Sequence, residues 1–130
     1  MAKILVIDDE VNIQRGLSEI LTDEGHNVLT ASDGERGLAV LKEEQIDLVL
    51  LDVKLPGVDG LEVLKRLKEN WPMVEVVMIS GHGTIETAVE AMKGGAYDFL
   101  EKPLSMKRVL ITVDHALERK ALDQERKEWL

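Results

Sequence analysis

Cysteine is absent from the sequence, so the chain can form no disulfide and offers no thiol chemistry. Extended apolar runs are missing at the N-terminus, where "MAKILVIDDE" reaches acidic residues after only a few apolar ones. That segment is too short for a signal peptide or a membrane span, and we expect a cytoplasmic protein without membrane contacts. Positive charge is also scarce. The net charge of −9 argues against direct nucleic-acid binding by this segment and favours simple solubility.

Internal repeats and low-complexity tracts are lacking too, and 130 residues with 45% hydrophobic content fit one globular domain. Short apolar runs alternate with amphipathic stretches. Five runs are predicted strands: Lys3–Asp8, Asn27–Ala31, Asp47–Asp52, Glu75–Ser80 and Tyr97–Lys102. Residues 48–51 of the third run are all apolar, which is typical of a strand buried on both faces of a parallel sheet.

Helical patterns lie between these runs. Apolar side chains recur at helical spacing in three segments: Ile13–Leu21, Ile85–Met92 and Val109–Leu117. Asp33 and Asp59, each followed by glycine, indicate the starts of the second and third helices, and Gly94 indicates the end of the fourth. Five β-α pairs in order predict an α/β fold. We expect a doubly wound, five-stranded parallel sheet of order 2-1-3-4-5, flavodoxin-like, with right-handed crossovers.

The last helix is predicted to be long. Neither glycine nor proline follows Ser105, which suits an N-cap, through Leu130. The sequence becomes heavily charged from Glu118 onward, and Asp123 and Lys127 are spaced for a favourable i, i+4 ion pair. We expect a domain over residues 1–118 and a helical linker or dimer stalk over 119–130. A solvated, fraying helix end is the alternative.

Chemically active side chains collect at the C-terminal ends of the predicted strands. They are Asp8, Asp9 and Glu10 after the first strand, Asp52 at the third, Ser80 at the fourth and Lys102 at the fifth. Because parallel strands end at one edge of the sheet, these side chains should meet there, near the crevice where the strand order reverses. A lone aspartate at a strand end is usually a turn former or a helix cap. The convergence of all these residues favours a functional site instead.

Clustered carboxylates raise one another's pKa unless a cation neutralises them. The three histidines are scattered, so no soft ligands converge on the cluster, and Mg²⁺ is the expected ion. With a metal screening its charge, one carboxylate could act as a nucleophile toward phosphorus and form an aspartyl phosphate. Lys102 and Ser80 would then supply an ammonium and a hydroxyl to the phosphoryl oxygens.

Four stretches carry these residues: "VIDDE", "LLDVKLPGVDG", "MISGHGT" and "YDFLEKP". Their content, order and spacing resemble the response-regulator receiver domain of bacterial two-component signalling, over residues 3–117. The resemblance implies that Asp52 is the phosphoacceptor. It also implies that Asp9 binds Mg²⁺ directly, Asp8 mainly through water, and that the backbone carbonyl of Lys54 completes the protein ligands.

The same resemblance implies roles for the residues around the cluster. Lys102 would contact the phosphoryl group and would precede Pro103 through a cis peptide bond. Ser80 would supply the switch hydroxyl, and Phe99 the aromatic that turns inward behind it. Phenylalanine has no phenol, so its inward state would rest on burial alone. An ordinary core aromatic is the alternative for this residue.

Two basic residues stand at the rim of the predicted site. Lys54 lies two residues after Asp52, and His82 lies two residues after Ser80. These places tune the access of water to the acyl phosphate in receiver domains. We therefore expect the basic pair to alter the lifetime of the phosphate. Exposed loop side chains without such a role are the alternative.

Residues 79–103 most resemble the receivers of the NtrC class of enhancer-binding transcription activators. Those proteins carry an ATPase module and a DNA-binding module after the receiver, so the resemblance implies the N-terminal portion of a longer regulator. It also implies docking of a sensor histidine kinase on the first helix, through a face that includes Asn12, Arg15 and Glu19. A homodimer through the fourth helix, fifth strand and fifth helix, or through the C-terminal helix, is the other expected contact.

Three other classes of protein remain as alternatives. A receiver-like interaction module that works without phosphorylation would be expected to lose part of the acid pair, Asp52 or Lys102, and all are present. A flavodoxin-like cofactor binder needs a phosphate-cradling loop where this chain has the acidic "DDEVN". An aspartyl-nucleophile phosphatase needs a D-x-D pattern on the first strand, which "DDE" does not match. We therefore predict that the chain accepts a phosphoryl group and is not a turnover enzyme.

Overall fold

The computed structural model describes residues 1–129, with side chains as far as Arg126. Within that part of the chain, strands and helices alternate from end to end. They are β1 Lys3–Ile7, α1 Val11–Asp23, β2 Asn27–Ala31, α2 Gly34–Glu43, β3 Leu48–Asp52, α3 Gly60–Asn70, β4 Glu75–Ser80, α4 Ile85–Lys93, β5 Asp98–Glu101 and α5 Met106–Trp129. The strands pair in parallel in the order β2-β1-β3-β4-β5, which confirms the predicted fold.

The predicted bounds of β2 and β4 are those observed, while β1, β3 and β5 are shorter by one residue at one or both ends. The residues trimmed from the prediction are Asp8, Asp47, Tyr97 and Lys102. Each of them still donates its backbone N–H to a carbonyl of the adjoining strand, at 2.7–3.1 Å. The backbone at these four positions therefore continues the pairing of the adjoining strands.

The sheet is covered by helices on both faces, and β3 lies at its centre with residues 48–51 fully buried. Leu48 and Leu50 pack with α1 and α5 on one face, while Val49 and Leu51 pack with α2, α3 and α4 on the other. This burial on both faces is why an unbroken apolar run was needed, as predicted.

Side-chain caps start three of the helices. Asp33 and Asp59 accept hydrogen bonds from backbone N–H groups of α2 and α3 at 2.8 and 2.9 Å, and Thr84 caps α4. Ser105 accepts a longer bond, 3.3 Å, at the start of α5. That helix is continuous through position 118, and the predicted pairing of Asp123 with Lys127 lies outside the described residues. No helix in the described part of the chain has the length and apolarity required to cross a membrane.

The apolar stripe of α4 is not directed into the core, contrary to what its helical spacing indicates. Ile85 is 84% exposed, Val89 45% and Met92 46%. The helix instead packs through Ala91, which is fully buried in the cluster that also contains Leu64. The spacing identified a helix correctly, but it did not identify the buried face.

Candidate functional site

The carboxyl edge of the sheet brings together residues from β1, β3 and β5. Asp52 is the last residue of β3, and its carboxylate is almost fully buried. Lys102 follows β5 and reaches across β4 to place its Nζ 3.1 Å from Asp52 Oδ2, to which it donates a hydrogen bond. The same Nζ lies 3.1 Å from Asp8 Oδ2 and 2.8 Å from Glu10 Oε2. Three carboxylates thus share a single ammonium.

Asp8 is fully buried and incompletely satisfied. Its Oδ1 accepts a hydrogen bond from the Glu10 backbone N–H at 2.8 Å. Its Oδ2 has the Lys102 ion pair but no well-directed hydrogen bond within the described structure. Burial raises the pKa of Asp8 above its ordinary value, and Asp52 adds to the rise, against opposing effects of the Glu10 N–H and the Lys102 ammonium.

The pKa of Lys102 is raised. Burial acts to lower it, but the contacts of the ammonium with the carboxylates of Glu10, Asp8 and Asp52 outweigh burial and hold the proton. Lys102 is therefore a fixed positive charge at any physiological pH. It offers an electrostatic partner for an anion and cannot serve as a base.

The acidic cluster fits a hard divalent cation. Oxygen atoms of Asp8, Asp9 and Asp52 all lie within 4.8 Å of one another. Asp9 is exposed, Oδ2 of Asp8 accepts no hydrogen bond within the described structure, and all donors are carboxylate oxygens. Such a donor set suits Mg²⁺, which retains several waters in open sites.

A cavity of about 430 Å³ opens at this edge. Its walls include Asp9, Asp52, Lys102 and the two rim residues, Lys54 and His82. Both rim side chains belong to exposed residues. The Asp52 carboxylate and the Lys102 ammonium therefore line a chamber large enough for a phosphate-sized group, and the basic pair lines the same chamber.

The loop after β3 folds back close to Asp52 and leaves the cavity open. The Lys54 backbone N–H donates to Asp52 Oδ1 at 3.1 Å, and the Gly60 N–H donates to the Val53 carbonyl at 2.8 Å. A Cβ at position 60 would collide with the carbonyl oxygen of Asp52. Glycine is therefore required there for the close approach of two backbone segments, as the "LPGVDG" turn needs.

Ser80 and Phe99 lie behind the cavity. Ser80 is 4% exposed, and its Oγ accepts a hydrogen bond from the backbone N–H of His82 at 3.1 Å. Phe99 is partly buried against the core on the α2-α3-α4 face, and its ring lies against Gly83. The peptide bond between Lys102 and Pro103 is cis, as the resemblance implied.

The structure thus brings together Asp8, Asp9, Asp52 and Lys102, with Lys54 and His82 at the rim. Sequence reasoning missed Glu10 as a partner of Lys102 and Gly60 as a constraint on the Asp52 loop. Glu10 stands beside the predicted acid pair, which was the available signal. The common edge of the parallel strands placed Glu10 near Lys102, but it did not indicate the direct ion pair between them.

Comparison with known proteins agrees with this geometry. The family model of the response regulator receiver domain matches residues 4–114. The nitrogen assimilation regulatory protein NtrX of Azorhizobium caulinodans is 46% identical over 127 residues, which are 96% of this chain and 28% of that protein. The crystal structure of NtrX from Brucella abortus with ADP superposes with a TM-score of 0.94 at 46% identity, over 99% of this chain and 30% of that one.

A third similarity covers a receiver domain by itself. The beryllofluoride-activated NtrC4 receiver domain dimer is 43% identical, with a TM-score of 0.88 over 92% of this chain and 99% of that one. This chain spans less than a third of the length of the NtrX proteins that it matches. It belongs to the response regulator receiver domain family, the signalling modules of two-component systems, and its relatives are NtrX- and NtrC-like regulators.

Proposed function

We propose that Asp52 accepts a phosphoryl group from a phosphohistidine of a sensor histidine kinase, the partner class of receiver domains in two-component systems. The observation that carries this proposal is the position of Asp52: a buried carboxylate at a strand end, bonded to Lys102 and open to the cavity. An Asp52 oxygen attacks phosphorus while the bond from phosphorus to the imidazole nitrogen breaks. The bonding electrons leave with the imidazole nitrogen, so one bond forms at phosphorus as another breaks.

Asp8, Asp9 and Asp52 would hold Mg²⁺, together with the backbone carbonyl of Lys54. When bound, the ion supplies charge neutralisation for the carboxylates and for the transferred oxygens. Lys102 contributes a permanent positive charge beside the nucleophile. The acyl phosphate that forms is hydrolysed slowly, so the chain acts as a switch and not as a turnover enzyme.

Ser80 and Phe99 would transmit the phosphorylated state. The Ser80 Oγ accepts a hydrogen bond from the His82 backbone N–H at 3.1 Å, so movement of the hydroxyl toward a phosphoryl oxygen would displace that loop or break the bond. Phe99 packs on the same loop at Gly83. Movement of the loop therefore changes the space available to the ring, which couples the two residues sterically without a phenol.

Three surfaces would contact partners. The exposed residues Asn12, Arg15 and Glu19 lie on α1, the helix that follows the acidic residues after β1, and suit kinase docking. The exposed stripe of α4 supports a homodimer through α4, β5 and α5, and a related receiver was solved as a dimer. Residues 119–130 would act as the start of a helical linker to a transcription-activating output, and the protein would work in the cytoplasm.

The decisive experiment is incubation with Mg²⁺ and acetyl phosphate, followed by intact-mass measurement. We expect a labile gain of one phosphoryl group in the wild type and none in Asp52→Asn. Asp59→Asn is the matched control, because Asp59 is an exposed helix cap and asparagine also caps well. Absence of labelling in the wild type would instead support a receiver-like interaction module that works without phosphorylation.

The two rim residues would set the lifetime of the acyl phosphate. A neutral His82 can order a water near the phosphorus, while Lys54 screens the phosphoryl charge; both line the cavity. We expect Lys54→Asn and His82→Ala to change the rate of autodephosphorylation by more than about twofold. Rates of phosphate loss within that range of the wild type would contradict the assignment.

A further inference from the structure

Glu10 makes the shortest contact to the ammonium of Lys102. The distance from Nζ to Glu10 Oε2 is 2.8 Å, against 3.1 Å to Asp8 and 3.1 Å to Asp52. The Glu10 side chain is 58% exposed, whereas those of Asp8 and Asp52 are 0% and 5% exposed. The nearest anion is therefore also the one least held by its surroundings.

The carboxylate of Glu10 is not used for the role that its position suggests. Glu10 is the N-cap residue of α1, yet within the described structure its side chain makes no capping hydrogen bond. The caps of α2, α3 and α4 all make one. The backbone N–H of Glu10 donates to Asp8, and the carboxylate turns instead to Lys102.

A lysine ammonium has three N–H donors, and three carboxylates already surround this one. A phosphoryl group on Asp52 brings oxygens that need the same donors. Asp8 is buried and cannot withdraw, and Asp52 carries the new group. Glu10 is exposed, and its side chain can rotate into solvent.

We propose that Glu10 is a positioning residue that holds Lys102 over Asp52 before phosphorylation and gives up the ammonium to the incoming phosphoryl oxygens. This inference rests on the proposed roles of Asp52 and Lys102. Glu10 thereby competes with the phosphoryl group for one cation, and phosphorylation must break this contact. Removal of the contact is expected to speed the reaction.

The test compares phosphorylation rates with acetyl phosphate at saturating Mg²⁺. We expect Glu10→Gln to react about fivefold faster than the wild type. This ratio corresponds to the free energy of one exposed ion pair, which the wild type must break during the reaction. Glu10→Asp keeps the charge but shortens the reach by one methylene, and we expect it to react about threefold faster. Glu101→Gln, beside Lys102 in sequence, removes an equal charge without removing a contact to Lys102 and should stay within twofold.

Nitrogen-15 NMR of the lysine ammonium groups gives a second measurement that does not depend on reactivity. The Lys102 signal of the metal-free wild type should show slow hydrogen exchange, and Glu10→Gln should accelerate that exchange. Equal rates for Glu10→Gln and Glu101→Gln, or a Lys102 signal that is unchanged in Glu10→Gln, would overturn the inference while leaving Asp52 labelling intact. Failure of the wild type to be labelled would overturn the proposed function and the competition together.

Discussion

Two charged clusters, one at each edge of the sheet, combine carboxylates and cations in opposite proportions. At the carboxyl edge, three acidic side chains surround the ammonium of Lys102. At the amino edge, the carboxylate of Glu75 lies between two cations. Lys68 Nζ is 3.9 Å from it on one side, and Arg119 Nε is 3.6 Å from it on the other.

Glu75 is the first residue of β4 and is 6% exposed. Lys68 approaches from α3 and also donates to the Val74 carbonyl at 2.6 Å. Arg119 approaches from α5 and lies 5.5 Å above the centre of the Tyr97 ring. This cluster joins the helices of both faces to the sheet. Two cations lie within 4 Å of the Glu75 carboxylate, although its Oε2 accepts no hydrogen bond within the described structure.

The comparison shows which edge is built for ligands. An excess of buried acid over cation is unfavourable within the chain and is relieved by a metal ion. An excess of cation around one acid is relieved by exposure, since Arg119 is 57% exposed. The carboxyl edge is therefore the one suited to a ligand, whereas the Glu75 cluster joins helices to the sheet.

The largest effect should follow from removal of the cation at the carboxyl edge. Lys102→Met keeps most of the side-chain volume but removes the charge beside Asp52. We expect phosphorylation by acetyl phosphate to slow by about a hundredfold, as when one donor to a developing charge is lost. Lys107→Met, an exposed lysine of α5, is the control and should react at the wild-type rate. A slowing of less than threefold would show that Lys102 is not required.

The next effect concerns the amino edge. Glu75→Gln keeps the shape but leaves Lys68 without its carboxylate partner. Burial already lowers the pKa of Lys68, with Arg119 adding to the effect and Glu75 opposing it. We expect Glu75→Gln to lower the free energy of unfolding, measured with urea, by about 2 kcal/mol. This is less than the usual effect of breaking a buried ion pair, because the two contacts to Glu75 are 3.9 and 3.6 Å long. The phosphorylation rate should be unchanged. Glu69→Gln, at an exposed position of α3, is the control and should change neither the free energy of unfolding nor the phosphorylation rate. An equal loss of stability in Glu69→Gln would contradict a stabilising role of the Glu75 cluster.

The smallest expected effect is a gain in stability, caused by removal of the charge of Asp8. Because the pKa of Asp8 is raised in the folded protein, the folded state binds a proton there before the unfolded chain does. The ionised Asp8 carboxylate therefore lowers the free energy of unfolding at neutral pH. This loss of stability disappears as the pH falls through the raised pKa of Asp8 toward 3.8, its ordinary value. We expect Asp8→Asn to stabilise the metal-free protein by about 1 kcal/mol at pH 7.

The stability gain of Asp8→Asn should shrink toward pH 4, as measured by urea unfolding at several pH values. Mg²⁺ should stabilise the wild type more than the variant, because the variant has lost a ligand. Asp59→Asn provides the control for a change from aspartate to asparagine at an exposed position. A variant that is less stable than the wild type at pH 7 would contradict the penalty assigned to Asp8.

Much of the fold and site was predictable because it depends on local patterns. The apolar run of residues 48–51 indicated a strand buried on both faces, and parallel order then placed Asp8, Asp52 and Lys102 at one edge. The caps Asp33 and Asp59 marked helix starts by their own hydrogen bonds. These features follow from residue type and spacing alone.

Other features were decided only when distant segments met. Helical spacing in α4 established which residues share a face, but packing through Ala91 left Ile85, Val89 and Met92 exposed. Glu75 resembled an ordinary charged residue at a strand start until Lys68 and Arg119 enclosed it.

The sequence by itself determined the sheet, the order of its strands and the acidic edge, because apolar periodicity and strand ends are local properties. The tertiary structure decided the balance of charge at each edge. It gave Lys102 three carboxylates, including Glu10, and it gave Glu75 two cations. Coulomb energies depend on distances between side chains, and those distances exist only once the chain has folded.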